Sequence, residues 1–224
     1  MTDWPTVAVL LITYKRTDLA LRTIRGVKTN LGYENLVWHV ADDGSPNGHL
    51  GALLAELPEG TGVTNAQRRG VGVSMNLGAQ KCLERADYIL WLEDDWELQR
   101  PYDLRPAVQM LQERGDVGMV RLGYISPGIE GQIITSAGRL WWKLRKGSDT
   151  YVFSGHAALR HRRFMQMYHP YAEGLTPGET ELWMCGTFNG KPGPDIALPM
   201  DTGEWGAFGH IGGESLNGVR PGSE

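Results

Sequence analysis

The chain has 224 residues, a formal charge of −4 and an apolar fraction of 41%. That is enough chain to bury one large core without disulfide or metal staples. The mild acidity excludes a global electrostatic drive toward nucleic acid or anionic membrane. The two cysteines, Cys82 and Cys185, are too far apart in sequence for a CxxC zinc or redox motif.

The first apolar run, VAVLLI (7–12), has the length of a strand and is too short to cross a bilayer. No basic flank precedes it, so no signal peptide and no transmembrane segment are expected, and the distant cysteines suit a reducing, cytoplasmic location. Thr17 to Lys28 reads as a helix, with Leu19, Leu21, Ile24 and Val27 near helical spacing. NLVWHVA (35–41) is a second strand, closed by the dense turn signal DDGSPNG. HLGALLAEL (49–57) is a short helix, a weak third strand falls near Val63, Ser74 to Arg85 is a helix, and Tyr88 to Leu92 is the next strand. Strands alternating with helices, each strand apolar on both faces, predict an α/β fold: a mostly parallel central sheet with helices on both faces.

After residue 100 the pattern loosens. Leu104 to Arg114 is expected to be a helix, VGMVRLG (117–123) a strand, IITSAG and RLWWKLR a hairpin, and YVFS (151–154) a further strand. Arg160 to Tyr168 and Glu179 to Phe188 look helical. From Asn189 onward Gly and Pro dominate, which predicts a long loop that orders on ligand. No linker divides the chain, so one domain over 1–224 is expected. Residues 1–100 form its first half and 101–224 its second, which carries a smaller antiparallel portion.

Three polar clusters end strands: TYKR (13–16), DDGS (42–45) and Glu93-Asp94-Asp95. In an open parallel sheet ligands bind outside the carboxyl ends of the strands, so one edge would gather all three. Three adjacent carboxylates repel one another, and hard oxygen ligands crowded at a strand end are best relieved by Mg²⁺ or Mn²⁺.

This arrangement resembles the family-2 nucleotide-sugar glycosyltransferases, which have the GT-A fold. The resemblance covers the first 100 residues and returns around 151–183. It implies a metal-dependent, inverting transfer of sugar from a nucleoside-diphosphate sugar, usually a UDP-sugar, to an acceptor hydroxyl. It places Thr13, Tyr14 and Arg16 in the first donor turn and Asp42 with Asp43 in the second, Asp43 holding the nucleobase. The stretch RRGVGVSMNLG (68–78) approaches the donor through Asn76. Relatives often carry Arg just before that Asn. Here the residue is Met75, and Arg68 or Arg69 is the substitute, with Arg69 included among the donor contacts. Glu93-Asp94-Asp95 stands for the DXD motif: Asp95 on the metal, Glu93 and Asp94 facing the ribose or metal-bound water. His210 looks like the C-terminal His that completes the metal shell in some GT-A enzymes. In GETELW, Glu179 aligns with the general base, and Glu181 is its rival two residues on.

The plain readings stay beside these. DDGS is also an ordinary turn, and Glu179 and Glu181 are also suitable charges for a helix N-terminus. Residues 139–163 carry Arg139, Lys143, Arg145, Lys146, Arg160, Arg162 and Arg163 against a single acid, Asp149. By default that is a solvated face; functionally it would suit an anionic acceptor such as DNA with hydroxylated bases or a phosphorylated glycan, while an uncharged glycan or a protein also stays open. Two other functions compete: a catalytically inactive sugar-nucleotide-binding module, and a sugar nucleotidyltransferase. The latter would need a glycine-rich loop directly after the first strand, and TYKRTD supplies none.

Overall fold

The structure, a computed structural model, describes residues 4–124, 129–203 and 206–212. The chain opens with strand β1 (Val7–Thr13), buried at every position, then helix α1 (Thr17–Asn30) and the short β2 (Leu31–Gly32). Next come β3 (Leu36–Asp42), α2 (His49–Glu56), β4 (Gly62–Asn65), α3 (Val71–Leu83) and β5 (Tyr88–Glu93). Two short strands follow, β6 (Trp96–Leu98) and β7 (Tyr102–Asp103), then α4 (Arg105–Glu113) and β8 (Val117–Arg121). The remainder is β9 (Gly131–Ser136), β10 (Arg139–Leu144), β11 (Ala158–His161), α5 (Arg162–Tyr168), α6 (Pro177–Gly190), β12 (Asp195–Pro199) and β13 (Phe208–His210).

Nine strands form one sheet in the order β4-β3-β1-β5-β11-β8-β12-β10-β9. β4, β3, β1 and β5 are mutually parallel, and β12 is parallel to β8, with β11 reversed between β5 and β8. Successive residues of a strand face opposite sides. Accordingly Val9 and Leu11 join one core with Ile24, Leu53, Leu90, Leu104 and Leu111, under α1, α2 and α4. Leu10 and Ile12 join a second core with Met75, Ile89, Trp91, Phe153, Phe164 and Phe188, under α3, α5 and α6. Continuous apolar runs are what a sheet covered on both faces needs, and the expected α/β architecture is found.

Four of the expected elements are corrected. YVFS (151–154) is not a strand; the strand is Ala158–His161. The carbonyls of Tyr151 and Val152 accept instead from Nη1 of the fully buried Arg121, at 3.3 Å each. Arg160 does not start a helix. It lies inside β11, stacked 3.8 Å from the Trp91 ring centroid, and α5 begins after His161, whose Nδ1 accepts from Arg163 N at 3.1 Å.

The expected loop after Asn189 contains β12, in the interior of the sheet, and β13. Flanking Gly and Pro hide the short apolar run of Ile196, Ala197 and Leu198, which are all buried. Residues 213–224 of that tail lie outside the described residues. α3 also starts earlier than its apolar spacing suggests. Gly72 permits this, because a β-carbon there would collide with the carbonyl of Ala172.

Candidate active site at the carboxyl edge of the sheet

β1, β3 and β5 end side by side, with Thr13 opposite Asp42 and Ile12 opposite Glu93. The three polar clusters therefore meet at one edge. Thr13 donates its hydroxyl to Asp94 Oδ2 at 2.8 Å, and the backbone N of Tyr14 adds a second bond to the same oxygen at 3.2 Å. His49, the first residue of α2, packs behind this turn: its Nε2 lies 3.1 Å from Thr13 Oγ1 and its Nδ1 2.8 Å from Thr17 Oγ1. The sequence reading gave His49 no role beyond starting the helix HLGALLAEL.

Arg16 bridges the acidic pair, with Nη2 against Asp94 Oδ1 and Nη1 2.6 Å from Asp95 Oδ2. Burial raises the Asp94 carboxyl against the pull of Arg16 and Thr13. Burial also works to raise Asp95, but His210 and Arg16 outweigh it and hold that carboxyl below its ordinary value. His210 arrives because β13 pairs with β6, setting it opposite Trp96, and Ile211 N donates to Asp95 O at 2.8 Å. Its Nε2 lies 3.3 Å from Asp95 Oδ2.

Among the described residues no group of three or more His, Cys, Asp or Glu side chains is arranged to hold a metal ion. Asp95 Oδ1 is nevertheless buried with no hydrogen-bond partner. A buried carboxylate oxygen left orphaned is costly unless something unseen satisfies it. One carboxylate and one imidazole fit Mg²⁺ or Mn²⁺ that takes its other ligands from water and a diphosphate.

The second cluster divides its work. Asp42 is fully buried and spent on its own turn and on the end of β4, accepting from Gly44 N, Ser45 N and Asn65 Nδ2 at 3.0–3.2 Å. Asp43 is half-buried at the surface of the edge, its Oδ1 taking Gly70 N at 3.0 Å. Around it three side-chain-bearing residues hold left-handed backbone: Lys15 (φ 66°), Gln67 (φ 54°) and Arg68 (φ 63°). Each such residue costs about 1–3 kcal/mol, and such outliers concentrate at functional sites. Residue type alone does not reveal them.

Asn76 does not face this edge. Its amide is taken up by the loop before α6, donating to Tyr171 O at 3.0 Å and accepting from Tyr171 N at 2.9 Å. Arg69 also turns away, its Nε donating to Ala66 O at 3.1 Å.

Glu179 and Glu181 sit on the first turns of α6 and face different neighbours. Glu179 is in a capping box: its carboxylate accepts from Thr176 N at 2.8 Å and Thr176 Oγ1 at 2.7 Å. These bonds hold its carboxyl below the ordinary glutamate range, on an exposed surface. Glu181 instead accepts from Gly155 N at 3.2 Å. Gly155 passes directly over Glu93, where a β-carbon would collide with Glu93 Oε1. Glu181 and Glu93 thus flank one glycine. Burial pushes the Glu93 carboxyl up to about 8, with Asp95, Glu181 and Asp94 adding to the rise. The next residue, His156, was also passed over. Its ring stands 4.6 Å from Trp96 and 4.5 Å from Tyr124, and burial beside Arg121 keeps it neutral.

The basic segment 139–163 yields no continuous cationic face. Arg139 pairs with Asp201, Lys143 with Asp116 and Asp195, Arg145 with Glu130, and Arg162 with Asp87. Lys146 donates to Tyr168 Oη at 2.6 Å, Arg163 closes on the carbonyls of Leu111, Arg114 and Val117, and Arg160 is buried. Those acids come from other parts of the chain and are invisible in a count over one segment.

The profile of glycosyl transferase family 2 matches residues 8–167. The chain belongs to that family. The match takes in all three strand-end clusters and the Gly155 loop, and stops before α6. No curated protein sequence matches the chain significantly.

Solved structures show the same fold at low identity. The S. aureus TarS 1-349 complex with UDP-GlcNAc has a TM-score of 0.65 at 13% identity, covering 88% of this chain and 56% of that one. The mannosyltransferase PcManGT from Pyrobaculum calidifontis, in complex with GDP-Man and Mn²⁺, has a TM-score of 0.59 at 15% identity, covering 89% and 56%. GalNAc-T7 with UDP, GalNAc and Mn²⁺ has a TM-score of 0.65 at 16% identity, covering 94% and 44%. The chain therefore spans between 44% and 56% of the length of these neighbours. Among the described residues no helix is long and apolar enough to cross a membrane.

Proposed function

We propose that this family-2 chain transfers a sugar from a nucleoside-diphosphate sugar, most simply a UDP-sugar, to an acceptor hydroxyl with inversion at C1. The observation that carries the proposal is Glu181 on Gly155, directly beside the strand-end carboxylates. It supports an acceptor-side base beside a donor-side acidic edge. Asp43, half-buried and turned outward, is the candidate to read an N–H of the nucleobase. Asp95 and His210 are the candidate metal ligands. A bound Mg²⁺ or Mn²⁺ would supply electrophilic assistance to the departing diphosphate.

In the transfer, a carboxylate accepts the proton of the acceptor hydroxyl as its oxygen forms the bond to C1. The bond from C1 to the diphosphate oxygen breaks, and its electron pair leaves with the diphosphate. A single base on the acceptor side, acting in line with the departing group, inverts the anomeric centre. Glu181 is favoured as that base because Glu179 is engaged in capping its own helix. The two halves of the chain divide the substrates accordingly, donor against residues 1–100 and acceptor against the rest.

The neighbours bound to UDP, UDP-GlcNAc or GDP-Man support a nucleotide-sugar donor. Those bound to Mn²⁺ support the metal. The ion pairing of segment 139–163 removes the charge argument for an anionic acceptor, and the acceptor class stays open.

The experiment is release of nucleoside diphosphate from a panel of UDP- and GDP-sugars, with Mn²⁺ and with EDTA. Turnover that requires Mn²⁺ and is lost in Glu181→Gln is the expected result. Nucleotide binding without any turnover would instead identify a sugar-nucleotide-binding module.

A further inference from the structure

Arg121, in β8, is a charge that the fold keeps without a counter-charge. It is 1% exposed, its Nε is buried with no partner, and among the described residues no carboxylate pairs with it. A buried cation left unpaired is costly, and an apolar side chain there would serve stability better. The guanidinium instead holds one loop. Nη1 donates to the carbonyls of Tyr151 and Val152, and Nη2 meets Nδ1 of His156 at 2.7 Å.

That last contact fixes a proton. A guanidinium offers only N–H donors, so Nδ1 of His156 must present its lone pair. A neutral imidazole carries one N–H, which is then on Nε2. Tyr124 O also lies 3.3 Å from Nδ1. Without Arg121, that carbonyl would draw the proton onto Nδ1. Among the described residues nothing meets Nε2, and His156 is half-buried rather than enclosed.

Position suggests what the Nε2–H is for. His156 follows Gly155, whose N–H donates to Glu181 Oε1 at 3.2 Å. On its other side the imidazole packs 4.6 Å from Trp96, whose ring stands 5.1 Å from His210. Gly123 allows this, since a β-carbon there would stand 2.9 Å from Trp96 Cζ3 and 3.1 Å from His156 Cβ. A hydroxyl presented to Glu181 therefore has the imidazole as a neighbour. A neutral N–H suits an uncharged oxygen, and the surrounding Glu93, Asp95 and Glu181 disfavour an anion.

We propose that Arg121 is a positioning residue that holds His156 as a fixed Nε2–H donor beside Glu181, and that this N–H takes an uncharged oxygen of a sugar acceptor. The inference rests on the transfer reading above, with Glu181 as base, and adds the acceptor class. The oxygen held by His156 neighbours the attacking hydroxyl on the same molecule. The attacking hydroxyl still gives its proton to Glu181, while the second contact fixes its direction. A sugar supplies such paired oxygens; a lone serine hydroxyl does not.

Heteronuclear NMR of isotope-labelled histidines near neutral pH reads the tautomer, and the signal lost in His156→Phe assigns the ring. The parent should carry the proton on Nε2. Arg121→Met should move it to Nδ1, and Arg121→Lys, which keeps a cationic donor, should leave it on Nε2. The kinetic arm measures nucleoside-diphosphate release from the UDP-sugar that the parent turns over, with Mn²⁺. Acceptors are methyl glycosides of glucose, galactose and N-acetylglucosamine, with glucose 6-phosphate and a serine peptide for comparison. A methyl glycoside should raise release above that in water alone. Its KM should rise about tenfold in His156→Phe and in Arg121→Met, with kcat within about threefold, as for a contact made equally in ground and transition states. Arg121→Lys should stay near the parent.

A parent proton on Nδ1 overturns the lock. So does an Arg121→Met that melts lower with its proton still on Nε2 and its KM unchanged, the behaviour of a purely structural arginine. Parent KM in His156→Phe removes His156 from the acceptor. Absence of stimulation by every methyl glycoside, or equal stimulation by glucose 6-phosphate or the peptide, overturns the acceptor class. A parent that releases no nucleoside diphosphate from any sugar nucleotide overturns the transfer reading itself, while the tautomer still decides the lock.

Discussion

Asn76 and Tyr171, 95 residues apart, are joined by a pair of hydrogen bonds, Asn76 Nδ2 to Tyr171 O at 3.0 Å and Tyr171 N to Asn76 Oδ1 at 2.9 Å. The amide mimics one rung of a β-ladder and ties α3 to the loop that leads into α6. The collision that a β-carbon at Gly72 would make with Ala172 O shows how closely those two segments run. The residue that resemblance assigns to the donor is thus the one that fixes where α6, and with it Glu181, begins.

Asn76→Ala should therefore act on stability before it acts on binding. It strands one donor and one acceptor of the Tyr171 backbone, a loss of about 1–3 kcal/mol. For a chain of this size that is a melting temperature lower by several degrees, at roughly 2–4 °C per kcal/mol. UDP affinity should stay near the parent value. A large loss of UDP affinity with no change in melting would return Asn76 to the donor site.

Glu179 and Glu181 separate by substitution. Glu181→Gln keeps the size and the bond from Gly155 N but cannot accept a proton, so turnover should fall about 10²–10⁴-fold with donor affinity intact. Glu179→Gln should be nearly silent, because Gln also completes a capping box. Steady-state release of nucleoside diphosphate from the two variants decides the matter, and a reversal of their behaviour would move the base to Glu179.

At the proposed metal site, Arg16 and a divalent cation would compete for the Asp95 carboxylate, which Arg16 holds together with Asp94. Arg16→Ala should raise Mn²⁺ affinity several-fold in the absence of nucleotide, since no guanidinium has to be displaced from Asp94 and Asp95. Asp95→Asn should abolish binding, as it removes the charge and alters the orphan oxygen. Titration of Mn²⁺ by calorimetry reads both, and unchanged affinity in Asp95→Asn would remove Asp95 from the metal site.

Glu93 gives a stability test with a defined sign. Its carboxyl is raised from 4.5 to about 8, first by burial and then by Asp95, Glu181 and Asp94. The folded chain keeps a proton there that the unfolded chain releases above about pH 4.5. The associated stability is complete below 4.5 and is lost as pH rises toward 8. Glu93→Gln resembles the protonated form. In metal-free buffer its stability relative to the parent should climb between pH 5 and 8, then level off. Urea unfolding at intervals of one pH unit measures this, and a difference independent of pH would contradict it.

The sequence by itself determined the alternation of strands and helices through α3 and β5, the hairpin of β9 and β10, and the presence of carboxylates where β3 and β5 end. Those features are local. A strand covered on both faces must be apolar throughout, and turn residues such as Asp42 and Gly44 act within four positions. The tertiary structure alone decided which of those polar groups are taken up by the fold and which stay open at the edge.

Glu179 and Glu181 lie two residues apart on the same helix, yet one caps it and the other meets Gly155. That outcome depends on the path of the loop pinned by Asn76. Arg160 reads as a surface charge in a basic segment, but it is buried, as Arg121 is, because β11 inserts between β5 and β8. The cations of residues 139–163 are matched by Asp87, Asp116, Asp195 and Asp201, which a local charge count does not include. Pairing between side chains tens of residues apart follows from how the loops close. Periodicity along the chain carries no information about that closure.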